Sequence, residues 1–189
     1  MRAEIRRGHI LDATEGLLLE VGSAGLTMRS IATSTGISLG NLQYHFPTRE
    51  DVLLALLNRF LTPYEERLGN IPERTSENVA EALGFVFKTV LNDQDFDRCA
   101  TIYKEIWAAS SHSEEMRNAL NTYYRRLAEF YRKLLSNVAA PQVDPEKIRR
   151  AAAAMLPVLE GYCVTKDAVD LPVEETVEDW SKMIAGLIC

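Results

Sequence analysis

Asn41 and Gln43 are the side chains in this sequence best equipped to recognise another molecule. Each carries an amide donor and a carbonyl acceptor side by side, the pair that meets adenine on its major-groove edge. Leu39 beside them has an apolar tip suited to a thymine methyl, and Arg29 has the fork of donors that reads guanine bidentately. Thr27, Ser38, Tyr44, His45 and Arg49 surround this set with hydroxyl, imidazole and guanidinium groups. Such groups suit phosphate oxygens, whose contacts fix register without carrying sequence information. Gly40 lies among them, and a residue without a side chain lets backbone approach a duplex closely. Each residue also has a plainer reading: an exposed polar group with no partner and, for His45, a helix cap or a core position.

The elements that must position these residues are two short helices. Thr27 and Ser38 each stand where an N-cap belongs, just ahead of residues able to wind. Gly36 marks a tight turn between them, and Ile31, Ala32, Ile37 and Leu42 can close a small core. The second helix then projects Ser38, Gly40, Asn41, Gln43, Tyr44 and His45, which is the arrangement of a helix-turn-helix reading head. A preceding helix is expected over residues 4–21, with Ile10, Ala13, Leu17 and Val21 at helical spacing and Leu11 and Leu18 widening the stripe. Gly22 and Gly25 end it. Arg2, Arg6 and Arg7 at its start have two open readings: contacts along a flanking phosphate strand or minor groove, or a solvated terminus.

The rest of the chain reads as helix after helix. Thr48 is the expected N-cap of a helix running to about residue 68, with Asp51 three positions on suiting the positive end of the dipole. Gly69-Asn70-Ile71-Pro72 is the best boundary, and Pro63 falls within the preceding helix. Further helices are expected over 76–91, 95–109, 113–137, 145–165 and 173–187, with Asp144 capping and Pro145 opening the fourth of these. The expected fold is all-α: a three-helix head over residues 1–47, a connecting helix over 48–68 and a larger helical body over 69–189, about nine helices in all.

Composition limits the alternatives. The chain has 189 residues, 47% hydrophobic and 25% charged, which suits a globular protein. A chain of this length buries roughly 70% of its unfolded surface and needs neither metal nor disulfide to fold. The longest apolar run, Ala151 to Leu159, is broken by Pro157 and is too short to span a bilayer. The first residues, with Glu4 and His9 and no apolar core, do not resemble a secretory leader, so a cytoplasmic setting is expected. Cys99, Cys163 and Cys189 form no CxxC pair and read as reduced thiols. Only Cys99, beside Arg98, has a neighbouring cation of the kind that favours a redox-active thiolate. The net charge is −6, which at first argues against DNA. Residues 1–50, however, hold five basic and five acidic side chains, so the acidic excess lies beyond them. A neutral head implies modest non-specific affinity and greater dependence on base contacts.

The motif Ile10-Leu11-Asp12-Ala13, then Leu26-Thr27-Met28-Arg29-Ser30-Ile31-Ala32, then Gly36-Ile37-Ser38-x-Gly40-x-Leu42-x-x-His45-Phe46-Pro47-Thr48-Arg49-Glu50-x-x-Leu53 resembles the DNA-binding domain of TetR/AcrR-family transcriptional regulators. The resemblance covers about residues 5 to 60. It implies that Arg29 reaches a base or phosphate. Gln43 departs from the family, which often has Tyr there, and the departure implies a different base preference. Beyond residue 60 the chain resembles the family in length, helical character and the Val158-Leu159-Glu160-Gly161 element. The resemblance implies a homodimer joined through its last two helices, a small-molecule cavity in the body, and effector control of the spacing between two heads. The effector is not identified.

Tyr103, Trp107, Tyr123, Phe130, Met155 and Leu159 are the first candidates to line that cavity, although aromatics at helical spacing are more often plain core. Ala151 and Ala154 offer a small-residue surface for a second copy, with Trp180, Ile184 and Leu187 as apolar area; intramolecular packing is the alternative. The leading function is a ligand-responsive transcriptional regulator, read first as a repressor released from a palindromic operator. A helical protein-interaction module with a degenerate DNA-binding head is the alternative. An enzyme is not expected: the three histidines are scattered, and no HExxH, nucleophile elbow or phosphate-cradling glycine loop occurs. No metal, cofactor or membrane partner is expected.

Overall fold

The structure, a computed structural model, describes residues 2–69, 79–168 and 171–188. Among these residues the chain forms nine α-helices and no strand: α1 (Arg2–Gly25), α2 (Met28–Thr35), α3 (Leu39–His45), α4 (Arg49–Gly69), α5 (Val79–Leu91), α6 (Phe96–Ser110), α7 (Glu114–Val138), α8 (Pro145–Thr165) and α9 (Val173–Ala185). The all-helical expectation is met. The expected start of α5 at Ser76 and most of the Gly69–Pro72 boundary lie outside the described residues. By packing, the chain divides into one unit of Met1–Phe60 with Arg98–Tyr123 and another of Leu61–Asp97 with Tyr124–Cys189.

In the first unit α1 buries Ile10, Thr14, Glu15 and Leu18. Val21, expected on the same stripe, is exposed. The reason is next to it: Gly22 leaves helical geometry at φ 66, ψ 176, a conformation open to glycine at little cost. Ser23, just past the break, donates its backbone N–H to Glu105 Oε2 on α6 at 2.7 Å.

Nothing in the sequence singles out Glu15. It is only 5% exposed, and two arginines from distant helices meet it. Arg98 Nε of α6 lies 3.0 Å from Oε1, and Arg59 Nη2 of α4 lies 3.6 Å from Oε2. Arg59 also pairs with Asp12 at 2.6 Å. A buried carboxylate without partners is unfavourable by several kcal/mol, so these guanidiniums are a condition of Glu15 being inside.

In the second unit α5 packs along α9. Gly84 of α5 faces Ser181 and Val177 of α9, where a Cβ would make ordinary van der Waals contact at 3.6 Å and 4.0 Å. Trp180 packs edge-on between Phe87, 5.5 Å between ring centroids, and Tyr162, 5.2 Å. Such geometry matches ring edges to ring faces. α8 begins as expected: Asp144 accepts a hydrogen bond from the Glu146 N–H at 2.9 Å, with Pro145 in the first turn. At its end Lys166 reaches Asp97 at 2.8 Å and Asp167 at 3.1 Å. The hydrogen bond from Lys166 to Asp97, then that to Asp167, holds its ammonium above the usual lysine range. Among the described residues no helix is long and apolar enough to cross a membrane.

Replacing Glu15 with Ala should destabilise the fold by about 1–3 kcal/mol, because it leaves two guanidiniums without their shared partner. Urea unfolding followed by far-UV circular dichroism measures this. No change in the midpoint would mean that solvent already satisfies both arginines.

Candidate nucleic-acid interface

Each turn of the motif is closed by its own sequence. Thr27 Oγ1 accepts from the Ser30 N–H at 3.0 Å while Ser30 Oγ accepts from the Thr27 N–H at 2.8 Å, a reciprocal capping box at the start of α2. Gly36 ends α2 at φ 66, ψ 27. The Ile37 N–H reaches back to Ala32 O at 3.1 Å, so the left-handed residue satisfies carbonyls that a helix end leaves open. Ser38 then caps α3 by accepting from the Asn41 N–H at 3.2 Å. Thr48 and Asp51 repeat the capping box at the start of α4: Thr48 N–H to Asp51 Oδ2 at 3.0 Å and Asp51 N–H to Thr48 Oγ1 at 3.1 Å.

The core under these turns is Leu26, Ile31, Ala32, Leu42 and Phe46, all buried; Ile37 is half-buried. With Leu42 turned in, α3 turns Gly40, Asn41, Gln43 and Tyr44 out. Tyr44 is 82% exposed and stacks edge-on against His45 at 5.2 Å. Leu39 and His45 are half-buried, and Thr27, Arg29 and Ser38 are exposed. Thus nine of the ten residues expected to meet DNA lie on or beside α2 and α3 with accessible groups.

Arg49 is the exception. One of its terminal nitrogens donates to Ser23 O at 3.2 Å and to Leu26 O at 3.3 Å, and its Nε is buried 3.6 Å from Glu50. It closes the α1–α2 connection onto the start of α4 rather than extending toward a phosphate. Its position just after the Thr48 cap, close to both carbonyls, explains this use. Arg7 also carries a phosphate reading in the sequence. Its Nη1 donates to His45 O at 2.6 Å and its guanidinium lies 4.0 Å from the centroid of the Phe46 ring. Arg6 is exposed.

Gly40 has ordinary helical backbone, and a Cβ built on it would meet nothing within 4 Å. Nothing inside the molecule therefore requires glycine here, although glycine costs an exposed helix about 1 kcal/mol relative to alanine.

The six cavity candidates divide between the two units. In the first, Tyr103 is buried, Tyr123 half-buried and Trp107 53% exposed. In the second, Met155 and Leu159 are buried core, and Phe130 is half-buried against Tyr131 at 5.7 Å. A groove of about 530 Å³ between α5 and α9 has none of the six in its lining, which includes Gly84, Phe85, Val177 and Ser181. The expected dimer surface also needs amendment. Ala151 and Ile184 are completely covered within one chain, and Trp180 is engaged by Phe87 and Tyr162. Ala154 is half-buried and Leu187 is exposed. The large apolar side chains that α8 and the α9 end do leave open are Val164, Met183 and Leu187. Helical spacing alone does not tell which side of a two-sided apolar helix faces its own core.

A capped helix-turn-helix with an uncovered polar second helix, on an all-helical chain, defines a DNA-binding regulator. The family profile described as "Bacterial regulatory proteins, tetR family" matches residues 10–56, and the one described as "BetI-type transcriptional repressor, C-terminal" matches residues 79–165. The chain is 27% identical to an HTH-type transcriptional regulator in the dhlA 5′ region of Xanthobacter autotrophicus, over 100% of this chain and 91% of the relative. It is 26% identical to the HTH-type transcriptional regulator BetI of Rhizobium meliloti, over 89% of this chain and 81% of the relative. In structure it is similar to Salmonella enterica GusR, with TM-score 0.72, 17% identity and coverage of 97% and 95% of the two chains. It is also similar to the multidrug binding protein EbrR complexed with imidazole, with TM-score 0.70, 24% identity and the same coverage. The chain belongs to the TetR family of transcriptional regulators.

Gly40→Ala should stabilise the protein by about 0.5–1 kcal/mol and at the same time weaken DNA binding. Thermal unfolding and fluorescence anisotropy on a bound duplex measure the two effects. Tighter binding with the added methyl would show that no backbone approaches there.

Proposed function

We propose that this protein is a ligand-responsive repressor that binds a palindromic operator as a homodimer and leaves it when a small molecule occupies the helical body. In this reading residues 1–47 are the reading head, 48–68 the connecting helix and 69–189 the body. Asn41, Gln43 and Leu39 meet base edges in the major groove, and Arg29 meets a base or phosphate. Gly40 admits the DNA backbone. Thr27, Ser38, Tyr44 and His45 hold phosphates and set register.

The observation that carries the reading is the outer face of α3: a carboxamide pair and an unrequired glycine, exposed together on a helix whose other face is core. The resemblance of residues 79–165 to a BetI-type repressor C-terminal region supports repression. The printed description of EbrR as a multidrug binding protein supports a small-molecule effector. Tyr103, Trp107, Tyr123, Phe130, Met155 and Leu159 remain the proposed cavity residues.

Two contacts within the first unit support a route for the signal in this reading. Helix α6 holds α1 through Arg98 on Glu15 and through Glu105 on the Ser23 N–H. An effector that displaces α6 would pull on both contacts and tilt the head. Two heads must present α3 roughly 34–36 Å apart to fit successive major grooves, so a small tilt is enough to lose the operator. Linkage requires the operator to weaken effector binding by the same factor. Met183 and Leu187, with Val164, are the apolar side chains proposed to meet the second copy.

Selection from a random-sequence duplex pool, read by gel shift, tests the function and should enrich a two-fold symmetric site. Asn41→Ala should weaken that site by about 1–3 kcal/mol and relax preference at one base pair in each half. A pool with no enriched sequence would favour the protein-interaction module. Met183→Glu should shift the sedimenting species from dimer to monomer and lower operator affinity with it; an unchanged dimer would move the interface elsewhere.

A further inference from the structure

Arg7 has chemistry that DNA contact alone does not require. Arg7 is itself exposed, three residues before buried Ile10 and seven before buried Thr14, so it continues their helical stripe past the edge of the core. At the end of that stripe its stem is directed across the head to the last turn of α3. There its Nη1 donates to His45 O at 2.6 Å, and the guanidinium lies 4.0 Å from the centre of the Phe46 ring. These are two different interactions with two successive residues. Phe46 is 1% exposed and is the C-cap of α3, its N–H closing on Leu42 O at 2.9 Å.

We propose that Arg7 is a positioning residue for DNA reading, which braces the C-terminal end of the recognition helix from α1; the inference rests on the DNA-binding role proposed above for α3. A helix of seven residues has a single fully buried side chain, Leu42, inside its span. It can therefore roll about that anchor unless something fixes its far end. The carbonyls of a last turn have no partner within the helix, and a cation there also meets the negative end of the dipole. Arg7 supplies that cation and donor. By stacking on Phe46 it also covers the ring that ties α3 to the core. Gln43 lies within one turn of this brace and Asn41 just over one turn from it, so its loss changes their aim without removing a base contact.

The planar fork is what permits both interactions at once. Lysine, a point charge on a flexible stem, can neutralise a phosphate but cannot stack flat and donate in a fixed direction. This separates bracing from phosphate binding.

The test compares the full-length protein with Arg7→Met and Arg7→Lys in two measurements. The first is amide hydrogen exchange without DNA. Both variants should lose protection at Leu42 to Phe46 while α2 keeps its own; unchanged protection in α3 overturns the proposal, whatever DNA does. The second is binding to a selected site and to random duplex over a range of salt. The brace predicts a loss of roughly tenfold or more on the selected site, the size of one mismatched base pair. Random duplex should be bound as before, with an unchanged salt slope and no rescue by Arg7→Lys. A uniform loss on both duplexes, with the slope falling by about one and recovered by Arg7→Lys, would make Arg7 a phosphate contact instead. If the unaltered protein selects no sequence, the DNA-reading function itself fails, and exchange alone then judges the brace. Unfolding of Arg7→Met is recognised by simultaneous loss of protection in α2, and Arg7→Lys then carries the comparison.

Discussion

A seven-residue helix is not stable in water by itself, because a few hydrogen bonds do not offset the ordering of so many dihedrals. The proposed base contacts Leu39, Asn41 and Gln43 stand on such a helix. What holds α3 is its unexposed side and its two ends: Leu42 and Phe46 in the core, the Ser38 cap at one end, and the left-handed turn at Gly36 that delivers the chain to that cap. The outward face is defined by these contacts rather than by its own residues. Asn41 and Gln43 are exposed, so the core under α3 does not depend on their side chains.

The same logic extends one layer outward. The head is held by polar contacts that each join residues far apart in sequence. Glu15 brings Arg59 and Arg98 to α1, Glu105 holds the Ser23 N–H beside the Gly22 break, and Arg49 closes on the carbonyls of Ser23 and Leu26. Charged contacts of this kind have discrete geometries and lose much of their strength over a small displacement. An apolar core tolerates sliding more readily. The proposed effector response would act on the two charge-assisted contacts that join the head to α6. The neutral charge of residues 1–50 results in part from the same design, since the acidic groups Asp12, Glu15 and Glu50 are partners of arginines rather than a field facing DNA.

Much of the head is legible in the sequence because its signals are local. Thr27, Gly36, Ser38 and Thr48 each act within three or four residues, so their caps and turn can be read from neighbours alone. The exposure of Asn41, Gln43 and Tyr44 comes with the inward placement of Leu42. The residues that sequence reasoning misplaces depend on contacts over long separations. Arg49 has the chemistry of a phosphate ligand, and only the fold brings the two carbonyls of the α1–α2 connection beside it. Glu15 gives no sign of burial, since its partners are more than forty residues away. Val21 fits the α1 stripe by spacing, but a glycine can continue a helix or break it. At Gly22 the choice is made by a contact 82 residues away in sequence, the bond from the Ser23 N–H to Glu105. Ala151 and Ile184 have the spacing of a dimer surface, yet one chain already covers them. The apolar pattern of α8 and α9 is broad enough to serve two faces, and periodicity does not rank them.

Hydroxyl-radical footprinting of a selected duplex, with and without Asn41→Ala, tests the central claim most directly. A paired reader requires two protected patches on one face of the DNA, centred roughly one helical turn apart, both lost together in the variant. A single patch, or protection that ignores sequence and survives the substitution, would contradict a dimer that recognises bases through α3.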